Sequence, residues 1–179
     1  DWNLILVNRD NQQEEKTPDL TQIGEVQVDS RIAENTRQFL AAAQAIAPEE
    51  TLISGYRSRA EQEELYNEKV AGEVAKGLSN EEAVSIVLKQ VQLPGASEHQ
   101  TGLAIDMSAP EGQEDELAAK IAQLAPQYGF VLRYPDGKSD ITGVDFENWH
   151  YRYVGVENAQ YMQKHNLVLE EYIALLKEA

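Results

Sequence analysis

The sequence predicts an α+β fold built as a single domain. Short apolar runs of β-forming residues are mixed with amphipathic helical segments, without the βαβ rhythm of a parallel sheet. Two S-x-x-E patterns of the capping-box type mark helix starts. The length of 179 residues allows one substantial core, and 42% hydrophobic and 26% charged residues are typical of a globular protein. We therefore expect one domain over residues 1–179, in which residues 1–28 form an N-terminal strand and loop arm packed on the rest.

The first third of the chain contains three predicted strands and one helix. The run WNLILVN at 2–8 is short, apolar and rich in β-forming residues, and it predicts a strand. The alternating segment GEVQV at 24–28 predicts a short edge strand, and TLISGY at 51–56 predicts the third. Segment 29–47 predicts a helix, because its apolar side chains recur at helical spacing.

Two further helices are predicted from their capping boxes. Ser58 with Glu61 begins a helix that extends to about residue 75, and Ser79 with Glu82 begins one that extends to about residue 90. The remaining predicted elements are helices at 114–124, 156–164 and 168–177 and strands at 130–134 and 146–154.

Composition excludes several classes of function. A net charge of −16 argues against a nucleic-acid partner, because phosphate binding needs a basic surface. The chain has no cysteine, so any transition-metal site must use His, Asp or Glu. No apolar run approaches the roughly 18 residues of a membrane span, so we expect no transmembrane segment in this chain.

The segment SEHQTGLAID at 97–106 is the first candidate for chemistry. It contains His99, one of three histidines, and Asp106 follows seven residues later. The strand-like run that ends the segment has one apolar face, and on its other face Asp106 is flanked by Gly102 and Ala104. We expect a bend at Gly102 to bring His99 beside Asp106, and the two small residues to leave room there.

A second candidate cluster lies in ENWHYRY at 147–153. Alternation along a strand places His150 opposite Trp149, Tyr151 and Tyr153, which we expect to pack in the core. Glu147 precedes His150 by three residues and would lie on the other face of a straight strand. It joins His150 only if the chain bends, and Asn148 is a suitable place for that bend.

Together the two clusters predict a zinc site. Binding by His99, Asp106 and His150 would leave the fourth tetrahedral position open, which is the pattern of catalytic zinc. Glu147 could then serve as general base. The competing interpretation from the residues alone is that these groups are ordinary surface or core side chains, as we expect for His165 near a helix end.

Three motifs occur in order: SGYRS at 54–58, SEHQTGLAID at 97–106 and ENWH at 147–150. They resemble the VanY-like D-alanyl carboxypeptidases of the M15 metallopeptidases, and the resemblance extends roughly over 29–172. The opening WNLILVN looks most like the streptococcal LD-carboxypeptidases of that group.

The resemblance implies a role for each matching residue. His99, Asp106 and His150 correspond to the ligands of one Zn²⁺ ion, and Glu147 corresponds to the catalytic base. Arg57 corresponds to the arginine that steadies the polarised carbonyl and the developing oxyanion.

Two further residues correspond to substrate-binding positions. Ser97 and Gln62 match positions that hold the terminal D-alanine. The implied fold is a small antiparallel sheet flanked by helices, as in hedgehog-type and lysostaphin-type zinc domains. One departure is Asn148, which stands where the family often has proline.

The function implied is that of a zinc-dependent LD-carboxypeptidase that removes the C-terminal D-alanine from tetrapeptide stems of peptidoglycan. The alternatives are a DD-carboxypeptidase acting on pentapeptide stems, a non-catalytic zinc-containing binding module, and a structural protein without metal. We expect a monomer whose partners are peptidoglycan stem peptides. We also expect an extracellular, cell-wall-facing protein, anchored to the membrane through a segment absent from this chain.

Overall fold

The structure, a computed structural model, describes residues 1–178 and confirms the α+β prediction; the predicted domain's last residue lies outside the described part. A two-stranded hairpin precedes a four-stranded sheet with the order β3-β4-β6-β5, and all the strand pairs are antiparallel. The hairpin strands are β1 (Leu20–Ile23) and β2 (Val26–Asp29), and the sheet strands are β3 (Thr51–Ser54), β4 (Ala104–Ser108), β5 (Phe130–Leu132) and β6 (His150–Tyr153).

Helices flank the sheet, as the resemblance implied. They are α1 (Ala33–Ile46), α2 (Arg59–Val74), α3 (Asn80–Val87), α4 (Asp115–Leu124), α5 (Ser139–Thr142), α6 (Val156–Lys164) and α7 (Leu169–Glu178). Both predicted capping boxes form, with Ser58 at the start of α2 and Ser79 at the start of α3. Among residues 1–178, no helix combines the length and the apolar composition that crossing a membrane requires.

The two faces of the four-stranded sheet have different roles. Ile105 and Met107 of β4, Leu52 of β3 and Tyr151 of β6 lie in the main core with residues of α1 and α4. Phe39 of α1 lies near the centre of this core, with its ring centroid 4.9 Å from that of Tyr151 and 5.2 Å from that of Phe130. Because side chains alternate along a strand, the opposite face of β4 and β6 presents Asp106 and His150.

The prediction of an N-terminal strand at 2–8 is wrong. Residues Trp2–Leu4 form one turn of 3₁₀ helix, and the segment beyond them is irregular. Tertiary contacts override the β propensity here, because Trp2 stacks on Tyr153 and Asn3 makes hydrogen bonds through both its side chain and its backbone. The side chain of Asn3 donates to the carbonyl of Val154 and its own carbonyl accepts from Arg152. Leu4 and Leu6 lie against the hydrophobic cluster formed by residues of β5, α6 and α7.

The strand predicted at 146–154 is shorter than expected. It begins at His150, and the chain bends at Asn148 and Trp149. This is the bend that we expected to be needed for Glu147 to lie beside His150. The backbone N–H of Glu147 donates to the carbonyl of Tyr134 at 3.0 Å rather than to a ladder of the sheet. The Asn148 side chain donates to Asp115 at 2.8 Å, so hydrogen bonds hold the position where the family often has proline.

The bend at Gly102 forms, but the expectation that this glycine leaves room beside Asp106 is wrong. Gly102 has φ +78°, and a Cβ there would lie 3.0 Å from the backbone nitrogen of Asp29. That nitrogen also donates to the Gly102 carbonyl at 2.9 Å. The missing side chain therefore makes space for the end of β2 and joins the hairpin to the turn that carries His99.

Gly102→Ala is expected to destabilise the protein more than Gly112→Ala. Both glycines have positive φ, but a Cβ at Gly112 meets nothing within 4 Å, so this control carries only the left-handed strain of about 1 kcal/mol. At Gly102 the backbone of Asp29 must also move, and we expect a loss of about 1 kcal/mol more in urea unfolding. Equal losses for the two variants would contradict this account of the contact.

Candidate metal centre

A cavity of about 660 Å³ lies against the polar face of the sheet. Its wall includes all the site residues predicted from the sequence: Arg57, Gln62, Ser97, His99, Asp106, Glu147 and His150. These residues come from three separate stretches of the chain, 57–62, 97–106 and 147–150, and the fold brings them into one place.

The strand register positions two of the three predicted metal ligands. Asp106 of β4 lies directly opposite His150 of β6 in the antiparallel ladder, so both side chains project from the same face. His99 arrives from a 3₁₀ turn, Glu98–Thr101, which ends at Gly102 immediately before β4. The predicted approach of His99 to Asp106 is thereby confirmed.

The ligand atoms of these three residues converge. Potential donor atoms of His99, Asp106 and His150 all lie within 4.8 Å of one another. Asp106 Oδ1 is 3.5 Å from His99 Nε2 and 3.2 Å from His150 Nδ1. It is buried and accepts no hydrogen bond in the described structure. An unpartnered carboxylate oxygen between two imidazole nitrogens, in a chain without cysteine, fits a zinc ion held by nitrogen and oxygen.

Hydrogen bonds on the far side of each ligand orient it toward this point. His99 Nδ1 lies 2.8 Å from the carbonyl oxygen of Gly55, which can only accept, so the proton is on Nδ1 and Nε2 is free to bind a metal. Ser54 donates to Asp106 Oδ2 at 2.5 Å, which leaves Oδ1 as the free oxygen. His150 Nε2 lies 3.1 Å from Glu98 Oε1. Outer partners of this kind are typical of metal-binding histidines.

Glu98 is a buried partner of His150 that the sequence interpretation missed. It is fully buried, and its second oxygen accepts from Arg133 at 2.8 Å and from Arg152 at 2.7 Å. Burial alone would raise the pKa of Glu98, but the two guanidinium groups hold it well below its usual value. The only sequence signal was a charged residue between Ser97 and His99, within a motif that is otherwise buried.

Glu147 occupies the place expected of a general base. Its Oε1 is 4.0 Å from His150 Nδ1, and its side chain is almost entirely buried. Burial raises the pKa of Glu147 to about 7, with a further increase from Asp106, while His150 and Arg57 act in the opposite direction. A carboxylate with this pKa can both accept and release a proton near neutral pH.

Arg57 contributes a cation to the same wall. Burial lowers the pKa of its guanidinium, while the nearby carboxylates of Asp106 and Glu147 raise it, and arginine remains charged. Its backbone N–H donates to the His99 carbonyl at 3.1 Å. This hydrogen bond connects the segment before α2 to the 3₁₀ turn that carries His99. The side-chain Nε is buried and donates to no group in the described structure, so it is available to a ligand in the cavity.

The two predicted substrate-binding residues differ in what they can offer. The Ser97 hydroxyl accepts from the backbone N–H of His99 at 3.2 Å, which leaves its own hydrogen free to donate. Gln62 donates from Nε2 to the Gln92 carbonyl at 2.7 Å, and its buried Oε1 has no partner. That free oxygen only accepts, so it suits an N–H of a bound peptide better than a carboxylate.

The expected core packing of the aromatic residues holds for Tyr151, which is fully buried, and for Tyr153, which is half-buried against the main core. Trp149 is 40% exposed and lines the cavity, because the bend before β6 turns it out of the sheet. Phe146 and Ile53 are also exposed along the cavity wall. The entrance therefore has an apolar side, while the metal-binding end is polar.

A family model described as VanY, D-alanyl-D-alanine carboxypeptidase, matches residues 25–156. The chain belongs to the VanY family. A D-alanyl-D-alanine carboxypeptidase from Enterococcus faecalis is 38% identical over 97% of this chain, and the match covers 66% of that protein. The chain thus spans just under two thirds of this curated relative.

Solved structures agree with the family assignment. A mutant of the vancomycin-resistance D,D-pentapeptidase VanY, from a VanB-type cassette and in complex with Zn(II), has a TM-score of 0.89 and 38% identity over 97% of this chain and 99% of its own. VanYB in complex with D-alanine-D-alanine has a TM-score of 0.90, with 38% identity over 97% of this chain and 98% of its own. The prediction of a zinc enzyme fold is confirmed.

The LD-carboxypeptidase DacB from Streptococcus is more distant. It has a TM-score of 0.76 and 30% identity over 93% of this chain and 84% of its own. The D,D-pentapeptidase match extends over 97% of this chain, so much of the N-terminal arm has a counterpart there as well. The arm therefore does not distinguish an LD-enzyme from a DD-enzyme.

Proposed function

We propose that this chain is a zinc carboxypeptidase that removes the C-terminal D-alanine from peptidoglycan stem peptides ending in D-Ala-D-Ala. The observation that carries the proposal is the convergence of His99, Asp106 and His150 on one point of a cavity that also contains Glu147 and Arg57. Three protein ligands and a nearby carboxylate are the arrangement of a catalytic zinc site rather than of a structural one.

The three ligands would hold one zinc ion through His99 Nε2, Asp106 Oδ1 and His150 Nδ1. When bound, zinc supplies a Lewis acid that polarises a carbonyl and makes water acidic near neutral pH. Glu147 is the base that takes a proton from the attacking water and delivers it to the departing amine of D-alanine. Its raised pKa suits both halves of that transfer.

Arg57 is the group that stabilises negative charge on the carbonyl oxygen of the scissile peptide bond. Its guanidinium is partly buried and has a free Nε, so it acts where water screens little. Ser97 is proposed to donate to the carboxylate of the terminal D-alanine. Gln62 is proposed to accept an N–H of the peptide through its free Oε1.

The preference for D-Ala-D-Ala rests on similarity. The structures of VanY and VanYB match this chain at TM-scores of 0.89 and 0.90, whereas the LD-carboxypeptidase DacB matches at 0.76. The LD-activity predicted from the opening segment is the second candidate, because an LD-carboxypeptidase does share the fold. The segment behind that prediction is not a strand and does not discriminate between the two.

The substrate class also supports a proposal for location and partners. Peptidoglycan stems lie outside the cytoplasmic membrane, so we propose an exported, cell-wall-facing protein that acts on these stems. Membrane anchoring through a segment absent from this chain and a monomeric state remain predictions. A non-catalytic binding module is less favoured, because such a module has no use for a buried Glu147 beside a complete ligand set.

Glu147→Gln is expected to bind zinc normally and to lose turnover by roughly 10²- to 10⁴-fold, because the amide cannot accept the proton. In the wild type, kcat/KM should fall as the pH drops through the pKa of Glu147. That pKa is about 7 in the metal-free protein, and a bound cation lowers it. The inflection is therefore expected at or below about pH 7. Glu111→Gln, at an exposed position, is the control, and unchanged turnover in Glu147→Gln would rule out the base assignment.

Three stem peptides test the substrate. Zinc-loaded protein is incubated with a pentapeptide ending in D-Ala-D-Ala, a tetrapeptide ending in one D-Ala, and a pentapeptide ending in D-Ala-L-Ala, and products are identified by mass spectrometry. We expect release of D-alanine from the first peptide only. Cleavage of the tetrapeptide but not the pentapeptide would establish the LD-activity instead, and cleavage of none would favour the binding module.

A further inference from the structure

The buried carboxylate of Glu98 is not part of the reaction described above, yet it touches a metal ligand. Its Oε1 is 3.1 Å from His150 Nε2, on the side of the imidazole ring that faces away from Asp106. Glu98 is only 1% exposed, at the edge of the cavity. A buried carboxylate of this kind is costly unless several donors surround it.

Two buried arginines supply those donors. Arg133 Nε and Arg152 Nη1 donate to Glu98 Oε2 at 2.8 and 2.7 Å, and neither side chain is accessible to solvent. A carboxylate between two guanidinium groups is ionised, and an ionised carboxylate only accepts. His150 Nε2 must therefore carry a proton, which leaves the lone pair of the neutral ring on Nδ1.

Each of the two arginines also contacts a residue near one end of the chain. Arg133 forms a bidentate salt bridge with Glu170 of α7. Its Nη1 and Nη2 donate to the two carboxylate oxygens of Glu170, each at 2.7 Å. Arg152 Nη2 donates to the carbonyl of Asn3 at 3.1 Å. Glu170 and Asn3 both lie outside the region matched by the family model, residues 25–156. The two arginines therefore connect Glu98 to the N-terminal arm and to the last helix.

We propose that Glu98 is a positioning residue that fixes the tautomer and orientation of His150, so that Nδ1 is presented to the metal. The inference rests on the proposed function only in taking His150 as a metal ligand. Glu98 acts for His150 as the Gly55 carbonyl acts for His99, but with a full charge, which strengthens the hydrogen bond and makes the ring a better donor to the metal.

Glu98→Gln tests this with almost no change in shape. Either orientation of the amide places an N–H against another donor, toward His150 Nε2 or toward the two arginines. Zinc affinity, measured by competition with a chelator, is expected to fall by about 10- to 100-fold. The visible spectrum of the cobalt-substituted protein should change as well, because it reports the ligand field at His150.

Glu170→Gln is the matched control. It removes a carboxylate from the other end of Arg133 and leaves the Glu98–His150 contact in place. We expect its zinc affinity to stay within about twofold of the wild type, although urea unfolding should show a loss of stability in both variants. Unchanged affinity in Glu98→Gln, or an equal loss in both variants, would overturn the proposal.

A measurement on the wild type covers the case in which Glu98→Gln does not fold. Long-range ¹H–¹⁵N spectra of the zinc-loaded protein should show a proton on Nε2 of His150 and none on Nδ1, and the reverse assignment would overturn the proposal. The proposed function fails separately. If the wild type cleaves no stem peptide, but zinc affinity falls in Glu98→Gln and His150 carries its proton on Nε2, only the proposed function is wrong. If the wild type cleaves D-Ala-D-Ala stems and Glu98→Gln binds zinc normally, only the role of Glu98 is wrong.

Discussion

The antiparallel register between β4 and β6 is the constraint on which the site depends. It sets Asp106 opposite His150 on the polar face, while Ile105 and Tyr151 point into the core on the other face. A slip of one residue would exchange the two faces, burying the carboxylate and exposing the core residues. The packing that stabilises the sheet therefore also keeps two metal ligands together. His99 joins them because Gly102 reverses the chain just before β4.

Features set by local sequence could be predicted. The capping boxes at Ser58 and Ser79 mark true helix starts, because a cap involves residues only three apart. The metal ligands were found because His99 and Asp106 lie in one short motif, and because the ENWH segment resembles a known family. The bend at Asn148 was also anticipated, since Glu147 could not otherwise reach His150.

Features set by distant contacts could not be predicted. The N-terminal arm has the composition of a strand, but stacking of Trp2 on Tyr153 decides its conformation. Glu98 looked like an ordinary acidic residue in a chain with 31 of them, and its partners Arg133 and Arg152 are 35 and 54 positions away. Trp149 was assigned to the core by alternation, which fails where the strand has not yet begun. For the N-terminal arm and for Glu98, the deciding partner lies far along the chain.

The central claim is that one zinc ion is bound by His99 Nε2, Asp106 Oδ1 and His150 Nδ1. Diffraction data collected on both sides of the zinc absorption edge, from crystals of zinc-loaded protein, test it most directly. The account predicts one strong anomalous peak about 2.0–2.2 Å from each of these three atoms. A peak only at His165 or at surface carboxylates, or coordination through His150 Nε2, would contradict it.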